Sequence, residues 1–157
     1  MNLLSLPIHP LVVHGAVTLI PLAAVVTMAH ALRPDWRWWL RLPSMVVNAL
    51  ALVVLFVTRA TGDQLAHATP DNKALIEKHD QMAGLLTLAT VPMTLLAIFA
   101  AWSFAATSGA TSGWGANDAR QPRFASAVKW LVVLLGIAVL VFTVLTGHSG
   151  ATAAWSK

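Results

Sequence analysis

The sequence predicts an all-α integral membrane protein, a four-helix antiparallel bundle. Of its 157 residues, 57% are hydrophobic and only 10% are charged, whereas a soluble domain carries about 25% charged residues. The mean hydropathy is +0.71. Four apolar stretches each approach the roughly 20 residues that a helix needs to cross the hydrocarbon core. Residues 1–157 are therefore expected to form a single transmembrane domain in a lipid bilayer.

The four spans are justified in order by their few titratable or helix-breaking residues. The only titratable residues of span one are His14 and His30. Span two opens on Pro43, which suits a first helical turn, and has Arg59 in its last turn. Span three has no charge, and span four has only Lys129, close enough to one end for its amine to reach water. The spans cover residues 11–32, 43–60, 82–106 and 124–146.

The charges of the links predict an orientation. The links between spans one and two and between spans three and four hold six basic and two acidic residues, counting Lys129 beside the second link. The opposite side holds four basic and four acidic residues. The positive-inside rule then places the two Arg-rich links in the cytoplasm. Both termini and the Gly62–Gln81 loop are expected outside.

Composition excludes several functional classes. The chain has no cysteine, which excludes thiolate-held iron–sulfur clusters, covalent c-type haem and disulfides. Its basic residues are scattered singly, which argues against nucleic acid as a partner. No Asp or Glu lies inside a span, which disfavours an ion-coupled transporter. Asn48, the main polar residue deep in span two, is expected to bond to a neighbouring helix. Whether the protein is an enzyme stays open, but an electron carrier or binding protein is favoured.

Five of the six histidines map to one end of the predicted bundle, and only His30 lies at the other. Histidine is uncommon near lipid, so such a concentration indicates a function. His67 is expected to be exposed in its loop. The five are His9, His14, His67, His79 and His148.

Spacing ranks these histidines. His9 and His14 are five residues apart, about 140° around a helix with 3.6 residues per turn, so both cannot point squarely at the bundle axis. Pro10 indicates that His9 lies at or before the helix start. His14 and the helix-borne His79 and His148 are therefore the better candidates for an inward cluster.

Imidazoles from separate helices are the usual ligands of haem iron where thiolates are absent, and of zinc, copper or non-haem iron. For haem, Arg59 at the same level could neutralise a propionate or else hold Asp63. For a bare metal ion, Asp63 would join the histidines. The alternative interpretation is that interfacial histidines simply contact headgroups and water. The predicted ligands are His9, His14, His79 and His148.

A two-helix duplication is also indicated. Thr61-Gly62-Asp63 and Thr146-Gly147-His148 occupy matching positions just past spans two and four. A His-bearing entry precedes both span one and span three.

A resemblance to a known family rests on three motifs. They are Leu6-Pro7-Ile8-His9-Pro10-Leu11-Val12-Val13-His14, Thr61-Gly62-Asp63 and the His79 ahead of span three. Together they resemble the bacterial membrane family called domain of unknown function 2231, over essentially the whole chain. The resemblance implies a four-helix protein of the bacterial inner membrane. Some relatives are fused to Rieske domains, which implies a place in electron transfer, as a haem-b-type module.

Three functional hypotheses follow. The first is a b-type haem near the outer face, ligated by two of His14, His79 and His148, exchanging electrons with an outer partner protein. The second is a copper, zinc or iron ion used in binding, delivery or a small redox reaction. The third is a cofactor-free structural or accessory subunit of a larger membrane complex. Small residues in the spans would let helices pack closely, either against other subunits of such a complex or in a homo-oligomer.

Overall fold

The computed structural model describes residues 2–3, 6–68, 73–103 and 123–155. A two-stranded antiparallel ribbon precedes four long helices, and a single 3₁₀ turn at Pro34–Trp36 joins the first two. All four helices are long and apolar enough to cross a membrane. The predicted fold class is therefore confirmed. The elements are β1 (Asn2–Leu3), β2 (Leu6–Pro7), α1 (Ile8–Leu32), α2 (Arg37–Ala68), α3 (Lys73–Ser103) and α4 (Ala125–Trp155).

The helices extend beyond the predicted spans. We call the end of the bundle where α1 and α3 begin and where α2 and α4 end the terminal end. There α2, α3 and α4 each extend eight or nine residues beyond the predicted span. Pro43 lies inside α2 instead of in its first turn. Thr61-Gly62-Asp63 and His148 likewise lie within helices. The predicted spans stop where polar residues begin, but a helix satisfies its own backbone hydrogen bonds and need not end at the edge of the hydrocarbon.

The helices form a ring in chain order. The most extensive contacts join α1 to α2 and α3 to α4, and smaller contacts join α1 to α4 and α2 to α3. Helices α1 and α3 lie on a diagonal and touch only slightly. The bundle is thus built from two helical hairpins packed against each other.

Small side chains fill the interior, and large apolar side chains cover the outside. Nine alanines are buried, whereas Leu88 and Val144 are 72% and 71% exposed. This inverted distribution is expected where lipid surrounds the helices and small residues let the backbones approach closely. The buried alanines are Ala16, Ala23, Ala24, Ala31, Ala51, Ala89, Ala97, Ala100 and Ala101.

The two hairpins repeat one burial pattern. Every buried residue of α1 has a buried counterpart 70 residues later in α3, and four buried residues of α2 have counterparts 88 residues later in α4. The first set pairs Ala16, Ile20, Ala23, Ala24, Thr27, His30 and Ala31 with Leu86, Thr90, Met93, Thr94, Ala97, Ala100 and Ala101. The second pairs Ser44, Asn48, Ala51 and Leu55 with Val132, Gly136, Val139 and Thr143. The two-helix duplication that the sequence indicates stays a prediction, and it would account for this shared pattern.

A buried polar network joins three helices away from the terminal end. The Asn48 side-chain amide donates to Thr27 Oγ1 at 2.7 Å and to the Ser44 carbonyl at 2.8 Å, and Thr94 Oγ1 donates to Asn48 Oδ1 at 3.4 Å. The expected bond from Asn48 to a neighbouring helix is confirmed. Because these side chains are buried, their polar groups depend on one another for hydrogen bonds, and the network fixes the register of α1, α2 and α3.

We expect Asn48→Ala to lower the free energy of unfolding by about 1–2 kcal/mol. Interhelical hydrogen bonds in membranes contribute about 0.6 kcal/mol on average and at most about 1.7, and Asn48 makes two of them. Reversible unfolding in bicelles measures the change. The matched control is Val46→Ala, which truncates an exposed residue of the same helix. Equal losses in the two variants would show that the network contributes nothing.

Candidate functional site

His9 is fixed at the start of α1 by the neighbouring helix α2. Its side chain is half-buried, and its Nδ1 lies 3.1 Å from the Thr58 carbonyl oxygen and 3.2 Å from Thr61 Oγ1. The Thr61 hydroxyl already donates to the carbonyls of Val57 and Thr58. It therefore accepts from His9, and the Nδ1–H donates to both oxygens.

His79 repeats this arrangement at the start of the second hairpin. Its side chain is also half-buried, and its Nδ1 lies 3.1 Å from the Thr146 carbonyl oxygen and 3.2 Å from Ser149 Oγ. Ser149 in turn donates to the Thr146 carbonyl. Each imidazole is thus held by the second helix of its own hairpin, through a carbonyl and a hydroxyl three residues further along.

A glycine makes room for each ring. A Cβ built on Gly62 would lie 3.1 Å from His9 Cε1, and one built on Gly150 would lie 2.9 Å from His79 Cε1. Each glycine directly follows the hydroxyl residue that the imidazole contacts. A side chain there would push the ring away from its partners.

These contacts set the tautomer of both histidines. A carbonyl oxygen can only accept, so Nδ1 carries the proton and the neutral ring keeps its lone pair on Nε2. Histidines that ligate metals commonly have this second contact, which orients the ring and raises the basicity of the ligating nitrogen. Both histidines therefore have an unprotonated Nε2 at the same end of the bundle.

An ion pair lies beside His79. Arg59 Nη2 donates to Asp80 Oδ1 at 2.9 Å and so joins α2 to α3. The guanidinium is close enough to His79 to act on it electrostatically. The sequence offered Asp63 as a partner of Arg59, but Asp63 is exposed and Asp80 holds that position.

The remaining predicted ligands point elsewhere. His14 is exposed, and its Nδ1 donates to the Pro10 carbonyl of its own helix at 2.7 Å. His148 is exposed on α4. His67 is exposed, as expected, but it lies inside α2, where its Nδ1 contacts the Asp63 carbonyl at 2.7 Å.

The two histidines that the structure anchors in the same way differ from the expected inward cluster. The expected set was His14, His79 and His148, whereas the matched pair is His9 and His79. Five residues of helix separate His9 from His14, and the contact of His9 with α2 turns His14 outward. Within the ranges that the structure describes, no three His, Asp or Glu side chains are grouped so that they could hold one metal ion.

The residues that hold the two imidazole rings were not among those predicted from the sequence. The signal was present as a repeated Thr-x-x-Thr/Ser-Gly pattern, at Thr58–Gly62 and at Thr146–Gly150. The sequence alignment matched Thr61 to Thr146, whereas the repeated contacts match Thr61 to Ser149. That register differs by three residues, about one helical turn.

A family model described as "Predicted membrane protein (DUF2231)" matches residues 5–157. The chain belongs to this family. The match confirms the resemblance carried by the motifs around His9, His14 and His79, and it extends over all four helices. The family is described by its membrane character and by no ligand or reaction. No curated protein and no solved structure matches the chain.

Proposed function

We propose that this family member binds one b-type haem at the terminal end, through His9 and His79, and serves as an electron-transfer module. The observation that carries the proposal is the repeated imidazole anchoring. In both hairpins an Nδ1–H is bound to a backbone carbonyl, which leaves Nε2 as the ligating atom. His9 and His79, on diagonal helices, would hold the haem iron through their imidazoles.

The number of ligands favours haem over a bare metal ion. A structural zinc site takes four protein ligands and a catalytic one takes three, but the described part of the chain groups no three such residues. A b-type haem needs only one or two axial side chains, because the porphyrin supplies the other four nitrogens. A copper, zinc or iron ion remains the second candidate cofactor, and His9 and His79 would then be only part of its ligand set.

The chain's own residues would orient the ligands and set their basicity. Thr58 and Thr146 hold the two rings through their carbonyl oxygens, and Gly62 and Gly150 leave space for them. Haem, when bound, supplies one-electron redox chemistry. Because His9 is paired to α2 and His79 to α4, cofactor binding would also fasten the two hairpins to each other.

The site would exchange electrons on one side of the membrane only. His30 is the one histidine of the far end in the sequence, and it is buried there. Electron transfer across the whole bilayer would need a second haem, with its own pair of histidine ligands, at that depth. By the positive-inside rule the terminal end faces outward, so the redox partner would be a protein at the outer face of the bacterial inner membrane.

An optical spectrum with metal analysis on the full chain, freshly solubilised in mild detergent, tests the proposal. We expect a Soret band, about one haem per chain, and a low-spin reduced-minus-oxidised spectrum typical of two axial imidazoles. Stoichiometric metal without a Soret band would instead indicate a metal-ion site. Failure to bind either, including added haem, would leave the accessory-subunit hypothesis, which co-purification of partners then tests.

A further inference from the structure

Within the described part of the chain, only one of the two terminal nitrogens of the Arg59 guanidinium has a hydrogen-bond partner. Its Nη2 donates to Asp80, a carboxylate that is 61% exposed, while the Arg59 side chain itself is 28% exposed. Its Nη1 is buried and has no hydrogen-bond partner in the described part of the chain. A buried, charged N–H group without an acceptor carries the full cost of its desolvation. Such a group is expected to have an acceptor in the working protein.

The hairpin repeat indicates that this ion pair is not needed for packing. The position equivalent to Arg59 in the second hairpin is Gly147, and the position equivalent to Asp80 in the first is Pro10. Both hairpins nevertheless fix their histidine in the same way. At these two positions the α2–α3 side therefore carries a cation and an anion, whereas the α1–α4 side carries a glycine and a proline.

We propose that Arg59 binds an oxyanion beside His79, with Nη1 as the buried donor. A guanidinium presents paired N–H groups that match the oxygens of a carboxylate or phosphate. Asp80 accepts from Nη2, the other terminal nitrogen of Arg59, and so fixes the direction of the guanidinium group. Because Asp80 is largely exposed, water screens much of its charge, and the Arg59 cation stays available to a second anion.

Two sources could supply that oxyanion. One is a carboxylate of the haem at His9 and His79, in which case the inference rests on the proposed function. The other is the phosphate of a lipid headgroup, since Arg59 lies where the apolar part of α2 ends. The two sources share the same chemistry at Arg59 and are separated by experiment.

The first arm compares the binding of haem and of its dimethyl ester, in which both carboxylates are masked, to the full-length protein in detergent. We expect the wild type to bind haem at least about tenfold more tightly than the ester, which is the lower end of the effect of a charge-assisted hydrogen bond. Arg59→Gln should bind the two equally. Asp80→Asn should keep the preference, because the asparagine amide oxygen can still accept from Nη2 and so hold the guanidinium in place, while Nη1 remains a donor.

The second arm measures melting temperature in nanodiscs of phosphatidylcholine with and without phosphatidylglycerol. If the ligand is the phosphate of an anionic lipid, whose charge no choline offsets as it does in phosphatidylcholine, phosphatidylglycerol should stabilise the wild type and Asp80→Asn but not Arg59→Gln. Equal haem and ester binding together with no lipid effect overturns the oxyanion site. So does an Asp80→Asn variant that matches Arg59→Gln in both arms, since Arg59 would then act only through its salt bridge. Complete failure to bind haem contradicts the proposed function. The nanodisc measurement alone then decides whether Arg59 binds an oxyanion.

Discussion

His79→Ala and His9→Ala are each expected to abolish stable haem binding, whereas His14→Ala and His148→Ala should bind haem like the wild type. Loss of a contact that only orients a ligating histidine weakens metal binding by roughly 10–100-fold, so removal of the ligand itself should exceed that. His14 and His148 are exposed, and the ring of His14 is bound to its own helix. Titration of each apoprotein with haem, followed at the Soret band, measures the effect.

Melting curves separate a lost ligand from a lost fold. Each ring makes a hydrogen bond to a neighbouring helix, so we expect His9→Ala and His79→Ala to cost about 1 kcal/mol of stability and to remain folded. Haem loss in His14→Ala with retention in His9→Ala would reverse the assignment. It would restore the ligand set that the sequence favoured.

Most of the fold could be predicted because a single physical requirement determines it. A bilayer demands long apolar helices, and the chain has four apolar stretches and few charges to place elsewhere. The helix ends could not be read in the same way. The segments around Asp63 and Lys78 are polar, yet they continue as helix, since hydropathy reports where lipid ends and not where a helix ends.

The candidate site was predictable as an end of the bundle but not as a set of residues. Counting spans places five histidines together, whatever the orientation. Which rings face a neighbouring helix depends on the rotation of each helix about its axis, and that rotation is set by packing. Here α1 turns so that His9 meets Thr58, which directs His14 outward. Angular spacing could show that both do not point inward, but not which one does.

The hairpin repeat gives the two histidines equivalent positions and contacts. His9 and His79 occupy corresponding positions, and both hairpins start from the same end of the bundle. A repeat of this kind relates the two halves by an axis along the membrane normal. A ligand held by both rings would lie near that axis, between two first helices that barely touch. The repeat thereby accounts for the pairing of one histidine from each half.

Gly150→Ala is expected to weaken haem binding by about 10–100-fold, which is the effect of removing the group that orients a ligating histidine. The new Cβ would lie 2.9 Å from His79 Cε1 and 3.1 Å from its Nδ1. The imidazole would have to move, and its hydrogen bonds to Thr146 and Ser149 would lengthen or break. Gly62→Ala should have a smaller effect, since its nearest approach to His9 is 3.1 Å.

Gly147→Ala is the matched control because it makes the same change one turn earlier on the same helix. A Cβ at Gly147 meets nothing within 4 Å. Replacing a glycine inside a helix by alanine then stabilises the protein, by about 0.5–1 kcal/mol. Gly150→Ala should therefore lose haem affinity. Gly147→Ala should keep the wild-type haem affinity and melt at a higher temperature. If both glycines tolerate alanine equally, the anchoring of His79 by α4 has no part in cofactor binding, and the two-histidine site loses its main support.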